Sequence, residues 1–106
     1  MSEGFGLKSF KVNVATAGTR VQLSSTTIWA EWVQIIASTA NAGAVYIGGS
    51  NVAAANGFPL SNASPNNRVD LGQIFMDGSN ESWDLSKIYI DAANNDEDVF
   101  VIYSLK

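Results

Sequence analysis

The chain is predicted to be all-β: an antiparallel β-sandwich or jelly roll of about eight short strands in a single domain. Three observations predict it. Several short runs alternate polar and apolar residues with a period of two, clusters of Gly, Asn, Asp and Ser separate these runs, and no stretch carries a convincing amphipathic helical pattern. At 106 residues the chain fits one domain. A domain of that size buries roughly two-thirds of its unfolded surface and folds without metal or disulfide staples. Residues 1–6 are expected to form a flexible N-terminal arm and residues 7–106 the sandwich domain.

The elements follow in order. Residues 8–14 (KSFKVNV) place Phe10, Val12 and Val14 on one face and Ser9, Lys11 and Asn13 on the other, as in a half-buried strand. Residues 16–19 (TAGT) form a turn and residues 20–23 (RVQL) resume the period of two, so a hairpin is the simplest connection. Residues 28–37 (IWAEWVQIIA) are rich in aromatic and β-branched residues that suit a pleated surface. Helix is the competing assignment, but the Ser/Thr run before this segment and the Asn-Ala-Gly turn after it favour a second hairpin, into residues 44–47 (AVYI). Further strands are predicted at 58–60, 69–76, 87–91 and 99–104, separated by turn clusters at 61–67, 77–80 and 92–98.

Between two of these strands lies the uncharged stretch VYIGGSNVAAANGFPL, residues 45–60. Gly48 and Gly49 are expected to provide positive φ or a bulge at the rim of a sheet, with residues 50–57 crossing to the next strand. Residues 30–36 and 99–103 carry apolar side chains on both faces, whereas an antiparallel sandwich normally wets one face. Either a loop folds over the outer face or another subunit covers it.

Composition excludes much chemistry. The chain has no cysteine and no histidine, which removes thiolate nucleophiles, imidazole bases, Ser-His-Asp triads and the common zinc sites. Acids outnumber bases ten to six, and the bases Lys8, Lys11, Arg20, Arg68, Lys87 and Lys106 are scattered, so nucleic acid is not an expected partner. No apolar run approaches the roughly 20 residues of a membrane span, and the first residues do not resemble a cleavable signal. Neither a membrane partner nor a cofactor is expected. Gly4, Phe5 and Gly6 lack the context of a dinucleotide fingerprint, and no Walker lysine follows any glycine cluster.

Two constellations need weighing. Residues 91–98 (DAANNDED) gather hard oxygen donors, and Asp91, Asp96 and Asp98 form a candidate calcium loop. The spacing departs from the EF-hand pattern, since Ala93 stands where a ligand belongs and Asp96 where the glycine belongs. A solvated acidic turn is the plainer assignment. In residues 77–84 (DGSNESWD), Trp83 near carboxylates is a candidate for stacking on a sugar ring. An Asp-Gly turn with Trp83 as an interstrand anchor is the structural alternative.

The order of segments 18–23 (GTRVQL), 33–37 (VQIIA), 41–52 (NAGAVYIGGSNV), 57–60 (GFPL), 84–90 (DLSKIYI) and 99–103 (VFVIY) resembles small virion structural proteins of tailed bacteriophages, of the capsid decoration (cement) or head-fibre type. The resemblance covers residues 18–103. It implies a protein of the virion's capsid surface, assembled in the host cytoplasm, that binds the major capsid protein and itself, as a homotrimer, without catalysis. The candidate interface under that resemblance comprises Gly48, Gly49, Ala53, Ala54, Ala55 and Phe58 in the bland stretch and Trp32, Phe100 and Ile102 on the two-sided strands. The alternative is a carbohydrate- or receptor-binding module on a head or tail fibre, using Trp83 or Trp29.

Overall fold

The computed structural model describes residues 6–72, 74–76 and 79–105. Its strands are β1 (Leu7–Val14), β2 (Val21–Gln22), β3 (Trp29–Ala37), β4 (Val45–Gly48), β5 (Phe58–Leu60), β6 (Arg68–Leu71), β7 (Ile74–Met76), β8 (Ser79–Glu81), β9 (Trp83–Asp84), β10 (Tyr89–Ala92) and β11 (Glu97–Leu105). A 3-10 turn, Leu85–Lys87, joins β9 to β10. The predicted arm lies outside the described residues except for Gly6, and the turn predicted at 77–80 falls partly outside them.

The fold is an all-β sandwich of two antiparallel sheets. The first has the order β1-β11-β3-β6, with β9 continuing the β6 edge of β3, and the second has the order β2-β10-β4-β5. A separate hairpin pairs β7 with β8. The period of two explains the layering: Val12 and Val14, Val33 and Ile35, and Val99 and Val101 turn inward from the first sheet. They meet Val45, Ile47, Leu60 and Ile90 from the second. Burying a side chain such as Ile35, which is fully shielded, is worth about 1.5–3 kcal/mol. Phe10 packs edge-on against Tyr103 with ring centroids 5.9 Å apart.

Both expected hairpins are replaced by crossings between sheets. β1 pairs along its full length with β11, whereas β2 pairs with β10 in the other sheet. Likewise β3 lies between β11 and β6, and β4 lies between β10 and β5. An eight-residue ladder with β11 gives β1 far more hydrogen bonds and core contact than the two-residue β2 can offer. Gly18, at φ 86°, makes the first crossing in a backbone conformation that side chains disfavour. The predicted strand over 69–76 breaks at Gly72 into β6 and β7, and the strand predicted from 87 starts at Tyr89, after the 3-10 turn.

Asparagines tie one end of the sandwich together. The Asn41 amide donates to Asp98 O at 2.9 Å and accepts from Asp98 N–H at 2.9 Å, so it completes the ladder as a neighbouring strand would. Asn67 Nδ2 donates to Ala37 O, Ala37 N–H donates to Asn67 O, and Asn62 Nδ2 donates to Asn41 O. These bonds satisfy backbone groups that the crossing loops would otherwise bury without partners.

Candidate functional site

Two glycines of the bland stretch 45–60 are explained by one buried side chain. Val52 is fully buried, and a Cβ added to Gly48 would stand 2.8 Å from its Cγ2. A Cβ on Gly57 would stand 2.8 Å from the same atom and 2.6 Å from Tyr46 Cβ. Gly48 and Gly57 therefore make room for Val52, and the expected positive φ or bulge at Gly48 and Gly49 is not their role: among the described residues the glycine at positive φ is Gly18. Asn56 closes the loop, its Oδ1 accepting from Ala53 N–H at 2.7 Å and its Nδ2 donating to Asn51 O. Ala54 and Ala55 are exposed at the apex, Ala53 is half-buried, and Phe58 is 55% exposed at the start of β5.

Gly48, Gly49 and Phe58 share a cleft of about 480 Å³ at the open edge of the sandwich. Its opposite wall is Val69 and Leu71 of β6 with Trp83 of β9, and Ile47, Lys87 and Ile88 complete it. The alternation of β6 sends Val69 and Leu71 inward while Arg68 and Asp70 point outward. The Trp83 indole N–H donates to Gly72 O at 2.6 Å, which leaves its ring, and not its polar atom, for contact. Nothing local in the sequence marks Val69, Leu71 or Lys87 as belonging with Phe58. Only the apposition of edge strands β5 and β6 brings them together.

The second group of candidates lies on the outer face of the first sheet. Register places Lys11, Phe100, Ile36 and Arg68 in one cross-strand row, and Ser9, Ile102, Gln34 and Asp70 in the next. Trp32 stands beside Ser104 at the end of the same face. Trp32, Ile36 and Ile102 are half-buried, and Phe100 remains 43% exposed. The interface candidates thus form two surfaces, one at the open edge and one on the sheet face.

The acidic run is the expected solvated turn only at residues 93–96, which are exposed between β10 and β11. Asp91 and Glu97 are buried, while Asp96 is exposed with φ at 60°. Gly18 N–H and Ala92 N–H donate to Asp91 Oδ1, and Ala42 N–H and Gly43 N–H donate to Glu97 Oε1 and Oε2 at 3.0 and 2.7 Å. Each carboxylate therefore anchors a crossing loop by satisfying its backbone donors. Asp98 instead accepts from Asn13 Nδ2. Among the described residues, no three acidic side chains converge as cation ligands would, so Asp91, Asp96 and Asp98 are not brought together.

Asp84 caps the 3-10 turn, its Oδ1 accepting from Ser86 N–H and Ser86 Oγ–H. Partial burial pushes its carboxyl up. The Ser86 side-chain and backbone bonds, the Lys87 charge and the Ile28 backbone outweigh that, and the net pKa lies below the ordinary aspartate value. A depressed folded value contributes stability that is present above the unfolded pKa and is lost as pH falls through the folded one. In a carbon-detected NMR titration, Asp84 is expected to titrate below the same aspartate in the unfolded chain, and Ser86→Ala to raise its midpoint; an unshifted midpoint in the wild type would contradict the cap.

The fold and these surfaces define the chain as an all-β sandwich with an apolar open-edge cleft and an outer sheet face on which Trp32, Ile36, Phe100 and Ile102 lie among charged and polar side chains. No family model matches it, and comparison with curated proteins finds no match.

Proposed function

We propose that the protein is a structural component of a bacteriophage virion, a capsid decoration protein that binds the major capsid protein and stabilises the shell without catalysis. The resemblance of residues 18–103 to such proteins supplies the class. The observation that carries it is a pair of surfaces with apolar side chains open to water: the face on which Trp32, Ile36, Phe100 and Ile102 lie among Lys11, Gln34, Arg68 and Asp70, and the loop bearing Ala54, Ala55 and Phe58. Apolar surface left in contact with water is stabilised when an assembly covers it. One surface serves self-association into a trimer and the other meets the shell, where symmetry multiplies a weak contact into avidity.

The test combines sedimentation with rebinding to particles stripped of the protein. The wild type should sediment near three protomers and reattach, raising the shell's resistance to heat. Ala54→Glu, at an exposed apex, should fold normally but weaken attachment by about tenfold or more, since a buried unpaired carboxylate opposes association. A strict monomer that ignores the shell would defeat the proposal.

A carbohydrate- or receptor-binding role on a fibre is the second reading, because Trp83 does line a cleft. Its indole N–H is already engaged by Gly72 O, and among the described residues that line the cleft Lys87 is the single charged one. A sugar site needs several polar groups for its hydroxyls, so the lining favours an apolar occupant.

A further inference from the structure

We propose that the Asn56-Gly57 peptide is a self-modification site, at which the chain converts its own asparagine to aspartate and isoaspartate, and that closure of the loop between β4 and β5 holds the reaction back. The site stands on covalent chemistry and does not rest on the shell-binding reading. In this sequence glycine follows Asn56, whereas every other asparagine precedes a residue with a side chain. Glycine has no Cβ to shield its backbone nitrogen. Asn56 is itself exposed, within reach of hydroxide and water.

Hydroxide removes the Gly57 amide proton and the nitrogen attacks Asn56 Cγ. A C–N bond forms there, the bond from Cγ to Nδ2 breaks, and Nδ2 leaves as ammonia with a proton taken from water, closing a five-membered imide. Water then adds to one of the two imide carbonyls. Addition at Cγ yields aspartate. Addition at the main-chain carbon yields isoaspartate, whose backbone runs through the side chain. Water and hydroxide are the co-reactants.

The closed loop opposes the first step. Gly57 N–H donates to Ala53 O at 2.8 Å, so the nucleophile is engaged. The Asn56 carboxamide is held at both ends, its Oδ1 by Ala53 N–H at 2.7 Å and its Nδ2 by Asn51 O at 3.2 Å. Attack needs the amide proton released and the carboxamide free to turn, so ring closure follows local opening of the loop. The products do not restore the loop. In aspartate an oxygen replaces Nδ2, and two acceptors face each other at Asn51 O. Isoaspartate adds an atom to the main chain beside Gly57, where even a Cβ would stand 2.6 Å from Tyr46 Cβ and 2.8 Å from Val52 Cγ2. The modification therefore opens the apex that bears Ala54 and Ala55, and it does so in one direction.

The experiment incubates the full chain in mildly alkaline buffer, folded and in urea above its unfolding midpoint, and maps its peptides by mass spectrometry with aspartate and isoaspartate resolved. In urea Asn56 should be the first asparagine to change, and in the folded chain it should change at least about tenfold more slowly. Val52→Ala, which removes the buried side chain beneath the loop, should speed the folded reaction about threefold or more. Glu97→Ala weakens a different loop and should leave the folded rate unchanged, because the reaction needs local opening and not global unfolding. Asn56→Asp, a stand-in for the product, should speed hydrogen exchange of the Gly57 amide about tenfold while the core amides keep their protection. Another asparagine reacting first in urea, equal rates in the folded and unfolded chain, Glu97→Ala accelerating the reaction as much as Val52→Ala, or unchanged Gly57 exchange in Asn56→Asp would each overturn the proposal.

Discussion

Glu97→Ala should destabilise the protein by about 3 kcal/mol, read as a lowered urea midpoint at unchanged slope. Glu97 is 3% exposed, and its two oxygens accept the Ala42 and Gly43 N–H groups of the loop between β3 and β4. Hydrogen bonds to an ionised acceptor are stronger than neutral ones, and truncation leaves both donors in a partly buried setting without a partner. Glu97→Gln keeps one acceptor but turns an amide N–H₂ toward the other donor, so its loss should be intermediate. If Glu97→Ala lost under about 1 kcal/mol, water would be replacing the carboxylate, and its role as the loop's anchor would be refuted.

Gly57→Ala should lose about 2–3 kcal/mol, while Gly49→Ala, eight residues earlier in the same uncharged stretch, should stay within about 0.5 kcal/mol of the wild type. A methyl at Gly57 meets Tyr46 Cβ at 2.6 Å, Val52 Cγ2 at 2.8 Å and Ala53 O at 3.1 Å, so strand and loop must separate to admit it. At Gly49 the nearest atom is Asn51 Oδ1, 4.0 Å away. Adding Val52→Ala to Gly57→Ala should recover part of the clash, so the double variant should lose less than the sum of the singles. Equal losses at Gly49 and Gly57 would mean that backbone freedom, and not the Val52 wedge, explains both glycines.

The strands were legible because alternation is local. Residues 8–14 show their inward face in Val12 and Val14, and β1 forms there, one residue longer than predicted. Residues 28–37 read as strand on β-branched and aromatic content, and β3 follows from Trp29 to Ala37. The partners were not legible, since alternation assigns a face but names no neighbour. The shortest loop suggested β1 beside β2, yet β11, at the far end of the chain, provides a longer apolar ladder. The same limit hid the cleft. Phe58 and Trp83 drew notice separately as an interface residue and a sugar-stacking residue, and only the edge-to-edge apposition of β5 with β6 and β9 joins them.

Composition misled where a residue's surroundings come from distant chain. Asp91 and Glu97 sit in a polar run that reads as a solvated turn, but loops arriving from β1 and β3 present backbone N–H groups that make burial of those carboxylates favourable.

By itself, then, the sequence determined the all-β class, most strand positions, and the absence of thiol and imidazole chemistry, because each follows from residue type and short-range period. Tertiary structure alone decided which strands pair, which acids are buried, why Gly48 and Gly57 have no side chain, and where the apolar surfaces lie. Those properties depend on contacts between segments tens of residues apart, and packing geometry sets them where local preference is silent.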